Sequence, residues 1–105
     1  MIRALGVICA VFLVGPAISG EDMQQAAWGV GYALVVHEKC TGIAPRADYV
    51  PRIRNGMLRN GASEDDWGGF VQGAMEAERK FRQKPPAKEC REARAVKAQA
   101  DKAFL

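Results

Sequence analysis

Four segments of the chain carry apolar residues at the three- to four-residue spacing of an α-helix, and none alternates with the period of two that a half-buried strand requires. The first segment spans about residues 22–39 and has two apolar faces. One face consists of Met23, Ala26, Ala27, Val30, Leu34 and His37, and the other of Trp28, Tyr32, Val35 and Val36. A helix that is apolar nearly all round is typical of a central element packed by several neighbours. Thr41 and Gly42 predict its end.

Two further helices are predicted in the middle of the chain. One begins near Pro51, which suits a first helical turn, and ends at Asn60 and Gly61. Its apolar stripe is Val50, Ile53 and Met57. Ser63 predicts the N-cap of the other, because Asp66 follows three residues later in capping-box position. The predicted core face of this helix is Trp67, Phe70, Val71, Ala74 and Phe81.

A last helix is predicted from about Ala87 to the end of the chain, since Pro85 and Pro86 break any helix before it. Its apolar side consists of Cys90, Ala93, Val96, Ala100 and Phe104. The pattern therefore predicts an all-α fold, a small bundle of about four helices.

The first 19 residues predict a secretory signal peptide. Arg3 supplies the positive start, residues 4–14 are small and apolar, and residues 17–19 form a small-x-small cleavage site. A membrane anchor is the alternative, but the apolar run is shorter than the roughly 20 residues that span a bilayer. We expect residues 1–19 to be removed and residues 20–105 to form a single helical domain, periplasmic or secreted.

Two cysteines would remain in that domain, Cys40 and Cys90, and they allow only one intramolecular pairing. A disulfide is expected because export brings a chain into an oxidising compartment and because so small a domain buries little surface. A metal site with His37 and Cys40 is the alternative, but it lacks third and fourth ligands. We therefore predict a Cys40–Cys90 disulfide, no metal and no cofactor.

Charge is unevenly distributed along a chain whose formal net charge is +3. Residues 79–97 contain eight basic and two acidic residues. Such a run can attract nucleic acid or an anionic membrane surface. Export and the lack of aromatic residues after Phe81 argue against nucleic acid, and a membrane surface stays open as a partner. A solvated face with helix pairs such as Glu76 with Lys80 is the simpler interpretation.

His37 is the only histidine, so acid–base chemistry near neutral pH would use it first. Ser63 is already explained as a cap, and no other serine is placed for activation. We expect a structural, partly buried imidazole that is bonded to a carbonyl or carboxylate. Glu78 falls among apolar positions and is expected to pair with Arg82 or with a basic residue of the last helix.

Gly69 and Gly73 point away from the large apolar residues of the third helix, although glycine is costly inside a helix. With Ala77 they form a small-residue strip on which another backbone could lie closely. We predict that a protein partner binds there, with Lys80 and Arg94 as rim charges if the last helix packs alongside. The alternative is a frayed helix or a tight loop contact.

The segments His-Glu-Lys-Cys-Thr-Gly at 37–42 and Asn-Gly-Ala-Ser-Glu-Asp-Asp at 60–66, with a late Cys90, resemble small exported two-cysteine helical proteins of alphaproteobacteria. In length and composition the chain also resembles type IV secretion effectors of the VceA kind, which would imply a host-cell target. In size and single disulfide it is similar to periplasmic acid-stress chaperones of the HdeA kind.

These features predict a non-enzymatic exported protein that acts by binding a protein partner. The alternatives are an effector delivered by type IV secretion, a small stress chaperone and a small hydrolase that uses His37. A binding protein needs a surface patch, whereas a hydrolase needs a cleft in which His37 meets a nucleophile.

Overall fold

A computed structural model describes the backbone of residues 20–105 and the side chains of residues 22–105. The predicted signal peptide, residues 1–19, lies outside the described residues. The described chain forms four helices and no strand, namely α1 (Gly20–Thr41), α2 (Tyr49–Arg59), α3 (Glu64–Lys80) and α4 (Ala87–Phe104). The all-α prediction is confirmed. None of these four helices is long and apolar enough to cross a membrane.

The predicted helix ends are set by local backbone chemistry. The Ser63 hydroxyl accepts a bond of 3.1 Å from the Asp66 amide, and the Ser63 amide donates one of 2.8 Å to the Asp66 carboxylate. The predicted capping box is confirmed. Gly42 ends α1 with a φ of +70°, a conformation that favours glycine, and its amide donates to the Glu38 carbonyl.

Helix α1 is the central element of the described bundle, as its all-round apolar pattern predicts. Helices α3 and α4 each pack on α1 without contacting each other, and α2 packs on α4 and on one end of α3. The buried core draws on all four helices. Its larger members are Val30, Val36, Ile53, Met57, Phe70, Val96 and Phe104.

The α1–α3 interface is built from glycines that let two backbones meet. A Cβ atom at Gly73 would overlap the carbonyl oxygen of Trp28, and one at Gly31 would overlap the carbonyl oxygen of Phe70. At Gly69, a Cβ atom would come within 2.6 Å of the Gln24 carbonyl oxygen. Ala77 continues the same face and is fully buried. The two helices therefore lie as close as their main chains allow.

This interface corrects the predicted core face of α3. Phe70 is buried, but Val71 is 43% exposed and the neighbouring Met75 is 65% exposed, while Trp67, Ala74 and Phe81 are half-buried. The prediction followed the largest apolar side chains. The helix instead turns its smallest residues towards α1, because close approach of two backbones brings many atoms into dispersion contact.

Helix α4 buries the side predicted from its pattern, with Ala93, Val96, Ala100 and Phe104 in the core. A cluster of three polar side chains ties it to the start of α2. The Tyr49 hydroxyl donates to the Asp101 carboxylate, and Lys97 Nζ lies 2.9 Å from Asp101 and 4.8 Å from the centre of the Tyr49 ring. Burial and the bond to Asp101 raise the pKa of Tyr49 well above its usual range.

The predicted disulfide is confirmed. Cys40 in the last turn of α1 is bonded to Cys90 in the first turn of α4, with an S–S distance of 2.05 Å and a Cα–Cα distance of 5.9 Å. The bond closes a loop whose ends are 50 residues apart in sequence. It holds one end of α4 against the central helix.

We predict opposite effects for alanine at two glycines of α3. Gly73→Ala should lower the free energy of unfolding by about 3 kcal/mol or more, because its Cβ atom meets the main chain of Trp28. Gly68→Ala is the matched control, since its Cβ atom would meet nothing within 4 Å. That change should stabilise the protein by about 0.5–1 kcal/mol through helix propensity. Urea unfolding followed by far-UV circular dichroism measures both, and equal stability of the two variants would contradict the packing described.

Reduction of the disulfide should destabilise the fold by roughly 4 kcal/mol, because an open chain gains the entropy that a loop of this length restricts. The measurement is urea unfolding with and without a reducing agent. Thiol titration of the unreduced, unfolded protein is the control. Two reactive thiols from Cys40 and Cys90 would show that the bond does not form.

Candidate functional site

An open groove with apolar walls runs over α1 between α3 and the segment that leads into α2. It has a volume of about 320 Å³. We call it the apolar groove and define it by Leu34, Val35, Ile43, Val50, Phe70 and Ala74. Its polar lining includes His37, Glu38, Thr41 and Lys97. Three helices and the segment between α1 and α2 therefore build a concave apolar surface that no single helix carries.

The rim of the groove is placed by the end of α1. The Thr41 hydroxyl donates to the carbonyls of His37 and Glu38 at 3.1 and 3.4 Å, and it accepts a bond of 3.2 Å from the Ile43 amide. The chain then passes over the groove before α2 begins. Ile43 lies there with 72% of its surface exposed.

A second cavity, of about 360 Å³, lies at the end of α1 beside the disulfide. We call it the basic cavity and define it by Lys84, Arg91 and Arg94, which line it. Within the described part of the chain, none of these three side chains has a carboxylate within 4.0 Å. Its lining includes no Asp or Glu. The cavity therefore gathers three cationic side chains without a carboxylate in its own lining.

His37 lies where these two cavities meet, since it lines both. Burial lowers its pKa, and the positive charges of Lys97 and Arg94 lower it further. The predicted bond to a carbonyl or carboxylate is wrong, because the imidazole has no hydrogen-bond partner among residues 22–105. The half-buried position is as expected. Its charged neighbours on α4 are Lys97, Arg94 and Asp101, and the Asp101 carboxylate instead accepts from Tyr49 and pairs with Lys97.

The predicted partner surface on α3 is also corrected. Gly69, Gly73 and Ala77 do receive another backbone closely, but the backbone is that of α1 in the same chain. The strip is buried and forms an internal interface. The glycines do allow the close backbone approach that was predicted. The prediction of a partner protein at this strip is wrong, because α1 fills it.

The two predicted rim charges do not frame that strip. Lys80 and Arg94 are both exposed, but α4 does not pack alongside α3, as their predicted roles required. Lys80 Nζ lies 5.8 Å from the centre of the Tyr32 ring and 5.3 Å from that of Phe81. Arg94 instead belongs to the basic cavity.

Glu78 has a cation as its partner, as predicted, but the partner is Lys39 of α1 at 3.1 Å. Its side chain is largely exposed and does not lie on the buried face of α3. Glu76 likewise pairs with Arg79 one turn away and not with Lys80. Both pairs are surface interactions that contribute little to stability.

Among residues 22–105, no three His, Cys, Asp or Glu side chains come together as metal ligands. Comparison of the chain with known protein families, curated proteins and solved structures finds no match. The apolar groove and the basic cavity beside it are therefore the candidate binding features of the described residues. Neither was predicted from the sequence, although the isolated apolar Ile43 between Gly42 and Pro45 is a signal that could have drawn attention to the segment.

We predict that stability falls when the pH is lowered from about 7.5 to 5.5. The unfolded chain binds a proton at His37 with a pKa of about 6.5, and the folded chain binds it less readily. Acidification therefore favours the unfolded state across this window. The His37→Gln variant should lose that part of the slope in urea unfolding measured at several pH values. An identical slope in the variant would show that another group is responsible.

Proposed function

We propose that this protein is an exported, non-enzymatic binding protein and that the apolar groove is its binding surface. The observation that carries the proposal is the groove itself, which is open, about 320 Å³ in volume and walled by apolar side chains. Small-molecule sites typically occupy about 300–1,000 Å³ and combine apolar walls with a few polar groups. Ile43 adds an exposed apolar side chain at the rim.

The polar groups beside the groove support binding over catalysis. A hydrolase that used His37 would need a nucleophile with a free proton to transfer. The Thr41 hydroxyl donates to main-chain carbonyls, and the Tyr49 hydroxyl donates to Asp101. The raised pKa of Tyr49 also disfavours its anionic form. The sulfur of Cys40 is held in the disulfide.

The disulfide also supports export. Such bonds persist mainly in oxidising compartments outside the cytosol, and this one joins the central helix α1 to α4. The amino-terminal pattern predicts a signal peptide independently. A ligand of the groove would accordingly be met in the periplasm or outside the cell.

The proposal predicts that oxidised protein, purified after expression of the full chain, binds the neutral apolar dye Nile red in the groove. Ile43→Ser should weaken binding about five-fold, which corresponds to about 1 kcal/mol of lost apolar contact. Met75→Ser is the matched control, because Met75 is similarly exposed but does not line the groove. Fluorescence titration measures both affinities.

Two results would contradict the proposal. Absence of dye binding would mean that the groove does not accept apolar groups. An equal loss in Ile43→Ser and Met75→Ser would mean that the dye adheres to exposed apolar residues in general. Far-UV circular dichroism of each variant controls for loss of the fold.

A further inference from the structure

The apolar groove ends against unpaired positive charge. His37 and Thr41 line both the groove and the basic cavity, so the two spaces meet at the last turn of α1. On one side of this junction lie the apolar walls, and on the other lie Lys84, Arg91 and Arg94. A ligand that entered both spaces would meet an apolar surface and a cationic surface within one molecule.

The basic cavity has no carboxylate in its lining, and Glu38 is the one acidic residue that lines the adjoining groove. Lys97 is also at the junction, but Asp101 neutralises it at 2.9 Å. Arg91 and Arg94 are one helical turn apart on α4, and Lys84 approaches from the segment before that helix. Three cations that converge on one cavity without a carboxylate favour an anion there. The lowered pKa of His37, caused in part by Arg94, is consistent with that positive potential.

We propose that the groove and the basic cavity together bind a free fatty acid, with its hydrocarbon chain in the apolar groove and its carboxylate in the basic cavity. This inference rests on the proposed function and names the ligand of the same groove. The chain would lie against Leu34, Val35 and Phe70, and the carboxylate would meet Arg94. A guanidinium group suits a carboxylate because it can donate two parallel hydrogen bonds to it.

The dimensions and the charge pattern favour this occupant. A volume of about 320 Å³ is near the lower limit for a small-molecule site, which suits one hydrocarbon chain better than the two of a phospholipid. The cations of the basic cavity lie at one end of the groove, and Lys97 on the groove's lining is paired with Asp101. That arrangement matches a molecule with a single anionic end.

The test compares two ligands of equal chain length by displacement of Nile red from the oxidised protein at pH 8. Decanoate carries the carboxylate, and decan-1-ol is its uncharged counterpart. Decanoate should bind at least about five-fold more tightly, because only its headgroup can pair with the cations. Decanoate should also bind more tightly than octanoate, by up to about fifteen-fold for two additional buried methylenes.

Variants then locate the headgroup. Arg94→Gln and Lys84→Gln should each weaken decanoate binding about three- to five-fold and leave decan-1-ol unchanged. Lys102→Gln is the matched control, because it removes the same charge from α4 but lies outside both cavities. Its affinity for decanoate should equal that of the unmodified protein. High salt should weaken decanoate binding alone.

Three outcomes would overturn the inference. Equal affinities for decanoate and decan-1-ol, both lowered by Ile43→Ser, would show that the groove binds apolar chains. They would also show that the basic cavity does not bind the carboxylate. Nile red binding without displacement by either ligand would likewise retain the proposed function and exclude a fatty acid. A dimer in sedimentation velocity that Ile43→Ser abolishes would assign the groove to a second copy of the chain.

Discussion

The close approach of α1 and α3 is the constraint on which the rest of the described structure depends. Gly73 lies against the main chain of Trp28, and Gly31 lies against that of Phe70, so each helix supplies a glycine where the other presents its backbone. A single added Cβ atom would force the axes apart. Because α1 also carries α4 on another side, a displacement of α3 would disturb the packing of the whole bundle.

This contact also explains why the protein has a groove. With its small residues turned to α1, helix α3 places Phe70 and Ala74 beside Gly31, where they form one wall. The other wall comes from the segment between α1 and α2, whose course begins at the Thr41 hydrogen bonds. The same geometry leaves Val71 and Met75 exposed outside the groove.

The amino-acid sequence was sufficient to predict the structural features that depend on residues close together in the chain. The four helices, the capping box at Ser63 and the end of α1 at Gly42 follow from local hydrogen bonding and periodicity. The disulfide also could be predicted, because the expected removal of residues 1–19 would leave only Cys40 and Cys90 to pair. Each of these outcomes has few alternatives once the local pattern is known.

Features that depend on the relative placement of helices could not be predicted in this way. The buried face of α3 was assigned by side-chain size, but Gly69 and Gly73 determine it through backbone approach. The partner of Glu78 proved to be Lys39, which is distant in sequence and becomes a neighbour only after packing. The groove combines side chains from three helices and the segment between α1 and α2, so no periodicity within one segment could indicate it.

We propose that the packing of α3 on α1 creates a site for an apolar chain with an anionic end. Amide chemical-shift mapping of the oxidised protein with decanoate tests it most directly, since the method reports on every described segment at once. We expect saturable changes that cluster at Leu34, Ile43 and Ala74 and extend to Arg94. Changes confined to the opposite exposed side of α3, at Val71 and Met75, would contradict it.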